Sequence, residues 1–533
     1  MYLTKQTVSM IMPLKTQESE MSLESNNYPL SEQRLTQVHF ESFKAFEQRV
    51  QVDLNPVTLI AGVNSGGKTS ILQSLLLARQ TLITPYRQTV ENALKYDSEL
   101  FGFASFYELI FGNPLPNDKG GIQLGFTVQI KPQLASNSLF PKWSDYFNEL
   151  PAESEKVVCV DLNIQFNYDD KQQIVVASQI EMSAHFRQSH CGSLIIEPQG
   201  ETWRIKQLCV GDIEQEINDE NWINLVEQRL SVDRFMPVLK GQPVWTSDMP
   251  KPERLFYGMF ISIFTPALAL LREELEKRLF YVGPLRSAPQ RYYLRQSVVG
   301  LDVGTSGEAA VQLLYENWEK SVNFVSIPDN LENFRPAQTE STSMALKKAV
   351  RQALRLLGME QLLTVKKQGE SYEALLSLLS KPQTDVSIVE VGFGVSQILP
   401  IIAVSLLSPV NSLLIFEQPE IHLHPRAQAG LGEFFLCLAR SGRRVLVETH
   451  SDHLINRLRR RIAEDKSNHF ENWVNILFVH PPENGRGAVV EKGRIDRYGQ
   501  IENWPPSFLA ESANDARAIM LAASTKRIED RKQ

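Results

Sequence analysis

Four cysteines in 533 residues, Cys159, Cys191, Cys209 and Cys437, none at CxxC spacing, leave the chain without a disulfide framework or a cysteine zinc site. A reducing cytoplasm is the expected compartment. Excess positive charge is missing too: Lys and Arg number 55 against 62 Asp and Glu, a net charge of −7. No global field therefore holds nucleic acid, and any DNA or RNA contact has to be a local patch. Residues 1–30 contain no apolar core of signal-peptide length, so the expectation is a mobile tail on a chain that is not exported. Uninterrupted membrane-length apolar runs are absent as well. Leu255–Leu271 is broken by Thr265-Pro266, an N-cap and first-turn proline that predict two helices meeting at a corner. Ile398–Phe416 is broken by Pro409 and Asn411-Ser412, which predict a helix split from a strand. No membrane partner is expected. Nor is there an internal repeat, a low-complexity tract or a heptad run.

What is present is globular composition, 43% hydrophobic and 22% charged, which is neither disordered nor fibrous. The length leaves room for several domains. Three short β-rich runs, Leu35–Phe43, Val50–Leu54 and Val57–Ala61, open the ordered part. Ile122–Ile130, Val157–Phe166, Ile174–Met182 and Ser193–Ile196 alternate like strands and predict a β-rich insertion. Helical periodicity returns in Pro266–Leu279, Gly307–Lys320 and Ser343–Leu357, followed by two α/β segments, Val386–Leu407 and Leu413–Arg461. Trp473–Val479 and Ala488–Asp496 close as strands. The expected division is 1–30 tail, 31–110 N-terminal part with a phosphate loop, 111–265 insertion, 266–480 C-terminal part of the same core, and 481–533 C-terminal segment.

Gly62-Val63-Asn64-Ser65-Gly66-Gly67-Lys68-Thr69 matches the P-loop pattern between an apolar strand and the helix Ser70–Arg79. The glycines let backbone N–H groups crowd a β-phosphate, and the helix start adds positive potential. Lys68 is placed to reach the β/γ oxygens, and the Thr69 hydroxyl to ligate Mg²⁺. Gly62, Asn64, Ser65, Gly66, Gly67, Lys68, Thr69 and Ser70 are the candidate ATP-binding residues.

A P-loop also needs an acid at a strand end for its metal. Leu413–Phe416 followed by Glu417-Gln418-Pro419-Glu420 is the best candidate, although far away in sequence. Upstream, Val391–Gln397 opens a helix with glycines and Ser396, another place where N–H groups and a hydroxyl face phosphate. Downstream, the strand Arg443–Thr449 ends in His450-Ser451-Asp452-His453.

This order of parts resembles ABC-type ATPases. The phrases Phe43-Lys44-Ala45-Phe46, Gly62–Ser70, Tyr281–Arg286, Val391–Pro400, Glu417–Pro425 and Glu448–Leu454 resemble the soluble OLD, RecF and SMC group, and most closely the AAA-labelled ATPases of prokaryotic anti-phage defence, Septu-type and retron-associated. The resemblance implies an α/β fold, an ABC-ATPase head with a P-loop core sheet, a β-rich subdomain and a middle insertion. It also implies that Gly394 and Ser396 stand for the signature motif, Glu417 for the Walker B acid and Mg²⁺ ligand, and His450 for the switch histidine. Two protomers then sandwich two ATPs, the Ser396 helix of one capping the P-loop of the other. Glu417, Gln418, Glu420 and His450 are the candidate catalytic residues.

Alternatives stand beside several of these. Ser396 as an N-cap alone is one; a metal cluster of His422, His424, His450 and His453 is another. Arg286 and Arg291 are either surface charges or nucleotide or interface groups. The resembled family often has a glutamate general base where this chain has Gln418, which predicts slow or triggered hydrolysis unless Glu417, Glu420 or His450 compensates.

The wide spacing of Lys68 and Ser396 argues against a transporter subunit, the absence of coiled coil against an SMC arm, and the lack of spaced carboxylates after His450 against an appended Toprim nuclease. The functional expectation is an ATPase that controls a separately encoded effector, such as an HNH nuclease, with DNA or a retron ribonucleoprotein as further partners. The alternative is a RecF-like DNA-repair ATPase. Arg443, Arg444, Arg457, Arg459, Arg460 and Arg461 are its candidate DNA patch, set against a solvated helix face.

Overall fold

The alternating runs of the N-terminal half pair into one antiparallel sheet because each buries one face and leaves the other half-exposed. The computed structural model describes residues 31–85, 92–97, 100–114, 120–131, 157–186, 189–200, 202–210, 213–214, 226–241, 249, 251–297, 300–328, 330–331, 334–378, 381–391, 393–467, 469–482, 487–505, 518 and 520–523. The expected tail, residues 1–30, and most of the expected C-terminal segment lie outside them. Strands β1 (Arg34–Glu41), β2 (Val50–Asp53), β3 (Val57–Gly62), β4 (Gly121–Ile130), β5 (Val158–Asp169), β6 (Ile174–Phe186), β7 (Ser189–Gln199), β8 (Thr202–Val210) and β9 (Ile213–Glu214) come first. All but β3 form an eight-stranded sheet in the order β2-β1-β4-β5-β6-β7-β8-β9. The strands expected as an insertion thus hydrogen-bond directly onto β1 and extend the sheet that the N-terminal part begins.

β10 (Leu230–Asp233) and β11 (Met236–Leu239) form a hairpin, as do β14 (Ser321–Val325) and β15 (Ser341–Ala345). A small sheet holds β13 (Tyr293–Leu294), β16 (Gln361–Gln368), β17 (Ser371–Leu378) and β18 (Lys381–Ser387). The remaining strands are β12 (Leu279–Val282), β19 (Leu413–Glu417), β20 (Arg444–Thr449), β21 (Val474–His480) and β22 (Val489–Gly493). With β3 they build the central sheet, β12-β19-β20-β3-β21-β22, parallel except at β22. Every residue of β3 and β20 is buried, as a parallel sheet covered on both faces demands.

The helices are α1 (Lys68–Ile83), α2 (Lys251–Met259), α3 (Thr265–Lys277), α4 (Ala310–Glu316), α5 (Leu346–Leu356), α6 (Phe393–Leu407), α7 (Pro425–Arg440), α8 (Asp452–Glu464) and α9 (His469–Trp473). Alternate residues of the central sheet enter two cores. Ile60, Ile415 and Leu446 face α1, α3 and the large sheet; Leu59, Leu414 and Val445 face α5 to α8.

The corner expected at Thr265-Pro266 is absent. α2 passes through a π-helical turn, Phe260–Phe264, into α3, and the Thr265 N–H bonds Phe260 O five residues back. That wider turn shifts the hydrogen-bond register just ahead of Pro266, whose missing N–H is then harmless in the first turn of α3. The segment expected as a helix from Ser343 opens instead as β15 and turns helical at Leu346. α6 and β19 are separated at Pro409 as expected. Among the described residues no helix is long and apolar enough to cross a membrane.

Candidate nucleotide site

The site grows from the C-terminal end of β3. Gly62 has φ 154°, and a Cβ there would lie 2.4 Å from Val479 O on β21. Ser65 takes a left-handed φ of 59°. Gly67 caps α1 at φ 99°, where a Cβ would lie 2.7 Å from the Ala45 Cβ. Glycine is therefore required at both ends of the loop, by neighbouring backbone at one and by the turn after β1 at the other. Asn64, Ser65, Gly66, Gly67, Lys68, Thr69 and Ser70 line a cavity of about 630 Å³.

Lys68 and Thr69 are the first residues of α1. The Lys68 Nζ donates to Val63 O at 2.7 Å, and burial lowers its pKa against the opposing pull of Glu448, Glu420 and Glu417. Thr69 Oγ1 donates to Glu448 Oε2 at 2.9 Å, while Glu448 Oε1 stands 4.0 Å from Lys68 Nζ. Glu448 belongs to β20, and strand register places it beside Ile60 of β3 on one side and Glu417 of β19 on the other. Burial, then the Glu417 carboxylate, push its pKa up to about 7. Glu417 itself accepts from the Tyr281 hydroxyl at 2.8 Å, and burial raises its pKa.

Sequence reasoning gave Glu448 no role, and the structure sets it on the Thr69 hydroxyl, one strand nearer the P-loop than Glu417. The available signal was a carboxylate inside a strand that otherwise reads as fully apolar near its end, Val445 to Val447, since charged side chains are rarely buried without a partner.

The turn after β19 brings up the other candidates. Gln418 has φ 44°, a left-handed conformation uncommon for a non-glycine residue. It is held there by its own N–H to Glu448 O at 2.8 Å and by Arg286, which donates to the carbonyls of Glu417 and Gln418 at 3.0 Å each. Gln418, Glu448 and His450 line the cavity opposite the P-loop; Glu417 and Glu420 do not. Glu420 is buried and accepts the His450 N–H at 2.6 Å. The His450 Nε2 is buried without a hydrogen-bond partner among the described residues, and burial lowers the pKa of its ring. Across the cavity stand Lys44, Ala45, Glu108 and Asn113.

Gly394 and Ser396 lie apart from this cavity, in the first turn of α6. Ser396 is the fourth residue of the helix, so it does not cap it, and its hydroxyl donates to Phe393 O at 2.8 Å. Phe393 beside it is 57% exposed. Of the two arginines left open, Arg286 braces the Gln418 turn, whereas Arg291 forms a surface pair with Glu390 at 2.6 Å. His424 caps α7 through Nδ1, and among the described residues no group of three or more His, Cys, Asp or Glu converges as a metal cluster.

The arginine run is no single solvated patch. Arg443 is buried on the carbonyls of Leu406, Ser408 and Asn323; Arg444 is buried against Glu274 and Leu35 O. Arg457 and Arg461 reach Glu433, Arg460 reaches Glu464, and Arg459 donates to Gly499 O. Glu464 apart, which is local to Arg460 and Arg461, the partners are remote in sequence, so charge alone does not reveal this.

These residues fit a nucleoside triphosphate with Mg²⁺. The glycines keep the loop clear where a Cβ would collide, and the Thr69 hydroxyl with the Glu448 carboxylate gives the hard oxygen donors that Mg²⁺ prefers, while Glu417, expected as the metal acid, stands outside the lining on the next strand.

Residues 311–456, from α4 to α8, match the family model described as "AAA domain, putative AbiEii toxin, Type IV TA system". No curated protein matches the sequence. Among solved structures, the chain is similar to the SMC head domain from Thermotoga maritima, at 8% identity over 86% of this chain and 98% of that one, TM-score 0.34. It is similar to an SmcHead bound to the C-winged helix domain of ScpA, at 10% identity over 86% and 98%, TM-score 0.39. A third likeness is to an Smc head domain with an extended coiled coil bound to the C-terminal domain of ScpA, derived from Pyrococcus furiosus, at 10% identity over 86% and 96%, TM-score 0.34.

Proposed function

We propose that the chain is an ATP-binding, slowly hydrolysing ABC-type ATPase whose copies close around nucleotide and control a separately encoded nuclease in prokaryotic anti-phage defence. The observation that carries the nucleotide reading is the meeting of Lys68, Thr69 and Glu448: an ammonium, a hydroxyl and a carboxylate from remote stretches of sequence stand together at a glycine cradle on a helix start. Amides of the loop and the N-terminus of α1 attract the phosphates. Lys68 exchanges Val63 O for the β/γ oxygens. Mg²⁺, when bound, would neutralise developing phosphate charge, and Thr69 and Glu448 are the cavity residues to hold it, with Glu417 behind Glu448 on the next strand. His450, which lines the cavity, is the residue to sense the γ-phosphate or the attacking water. Gln418 orients that water without taking its proton, which slows hydrolysis.

Closure between copies is supported by the place of Gly394 and Ser396, away from their own P-loop cavity and next to the exposed Phe393. Effector control is supported by the resemblance of the quoted phrases and by the family description over residues 311–456, which names a toxin.

The test has two arms. Lys68→Ala should weaken binding of a labelled ATP analogue about a hundredfold with melting unchanged, since an ammonium–phosphate contact is charge-assisted; normal binding by the variant overturns the P-loop reading. Purified from its source, the protein should retain the product of a neighbouring gene with nuclease activity. Retention of DNA with no protein partner instead favours the RecF-like repair reading.

A further inference from the structure

A second cavity, about 310 Å³, lies where α7 and α8 meet the end of α5. Its polar lining is Arg355, Arg426, Arg457, Arg460, Arg461 and one carboxylate, Glu433. Glu433 is shared between Arg457 and Arg461, and Glu464, outside the lining, is shared between Arg460 and Arg461. Three guanidinium groups, those of Arg457, Arg460 and Arg461, thus meet two carboxylates, and one of these, Glu464, is drawn on by Arg335 as well. Arg461 is 4% exposed and keeps its Nε buried without an acceptor among the described residues. Arg426, on the first turn of α7, makes no side-chain hydrogen bond or ion pair to the described residues, and lies so close to Gly358 that a Cβ there would come within 2.8 Å of its Nε.

Like charges gathered in a partly closed space repel unless an anion enters. Guanidinium groups recognise phosphate by paired N–H donors in a fixed fork. Leu331 and Leu356 are the apolar part of the lining, and among the described residues no aromatic ring lines it to stack a base. The chemistry is therefore that of phosphate and not of nucleobase. We infer that this arginine-lined cleft is a second anion site, separate from the P-loop, that binds a ligand carrying two or more phosphate groups.

Two sources share that chemistry: a free oligophosphate and the phosphodiester backbone of a nucleic acid strand. The full chain carrying Lys68→Ala, so that the P-loop does not contribute, is titrated with sodium triphosphate and, separately, with a single-stranded DNA about 20 nucleotides long, the span of one to a few single-strand binding sites. Binding of at least one probe is expected, about tenfold weaker on adding Arg426→Ala or Arg460→Ala and partly kept with Arg426→Lys. Arg426 is exposed and Arg460 is 56% exposed at its side chain, so both truncations spare the core. Dependence of the triphosphate alone identifies a free oligophosphate. Dependence of the DNA, with the log–log salt slope falling by about one, identifies a strand backbone. If neither probe binds, or if both bind equally with and without the arginines, the site is refuted.

Discussion

Thr69 and Glu448 touch across 2.9 Å and thereby tie the first turn of the P-loop helix to the strand beside the P-loop strand. The hydroxyl expected to ligate a metal is already matched to a carboxylate oxygen. Replacing Glu448 with Gln keeps an acceptor for Thr69 and deletes the charge. The variant should bind ATP analogue in EDTA as the wild type does, while losing most of the gain from Mg²⁺, about tenfold or more. Filter binding with and without Mg²⁺ reads this directly, and an undiminished Mg²⁺ effect contradicts the role given to Glu448.

Gln418 and Glu420 separate by position as well as by chemistry. Gln418 lines the cavity, whereas Glu420 is buried behind it on the His450 N–H. Gln418→Glu should raise steady-state phosphate release by about a hundredfold to ten-thousandfold, the usual worth of a general base. Glu420→Gln should leave the chemistry of the base position unaltered while loosening His450. A fast wild type that Gln418→Glu does not accelerate removes the slow-switch mechanism.

Phe393 offers a cleaner probe of closure than Ser396, whose hydroxyl is bonded inside its own helix. Because the ring is largely exposed, Phe393→Glu should fold and bind nucleotide normally. It should fail to form the ATP-induced dimer, as sedimentation with a non-hydrolysable analogue would reveal. A dimer formed equally well by the variant places the contact elsewhere.

How much of this was legible depended on whether a residue's partner was near in sequence. The P-loop could be read because its glycines, lysine and threonine stand in one uninterrupted phrase whose geometry is local. Glu448 was not, since its meaning comes from β20 lying between β3 and β19, an order fixed only when distant strands pair. The arginine run was legible as charge but not as burial: Arg444 faces Glu274 from α3, and no spacing rule connects them. Strands β4 to β6 were found within a few residues by alternation, yet alternation does not tell which strand they join. The π-turn at Phe260–Phe264 had no signal beyond Pro266, which predicts a corner as readily as a shifted helix register.

The Arg444–Glu274 pair also sets a stability expectation. Both side chains are essentially fully buried, at 0% and 2% exposure. Arg444→Met leaves an uncompensated buried carboxylate and should cost about 3–5 kcal/mol, whereas adding Glu274→Leu should recover most of it. Thermal melting of the two variants decides, and an additive double variant contradicts the pairing.

His39 gives the large sheet an acid limit. Its ring is buried opposite Gly125 of β4, where a Cβ would lie 2.0 Å from its Nε2, and it bonds Asn163 at 2.5 Å. Burial first, then Arg49, lower its pKa from 6.5 to about 4. The unfolded chain takes up that proton more readily, so stability is full above pH 6.5 and falls as pH drops from 6.5 towards 4, by up to about 3 kcal/mol. Amide exchange in β1 and β4 should accelerate over that window, and His39→Gln should flatten the profile.

The strand order of the central sheet has a consequence for synthesis. β3 is made long before either of its neighbours, β20 and β21. At translation rates of about 5–20 residues per second, the intervening stretch of about 400 residues takes about 20–80 s to emerge. Throughout that interval Val57–Gly62 has no partner on either edge, and an apolar strand in that condition is a template for wrong pairing. The phosphate loop is thus made well before the strands that flank it. Nascent chains paused before β20 should be the species that recruit chaperones, and no copy is able to hold nucleotide until β20 and β21 have left the ribosome.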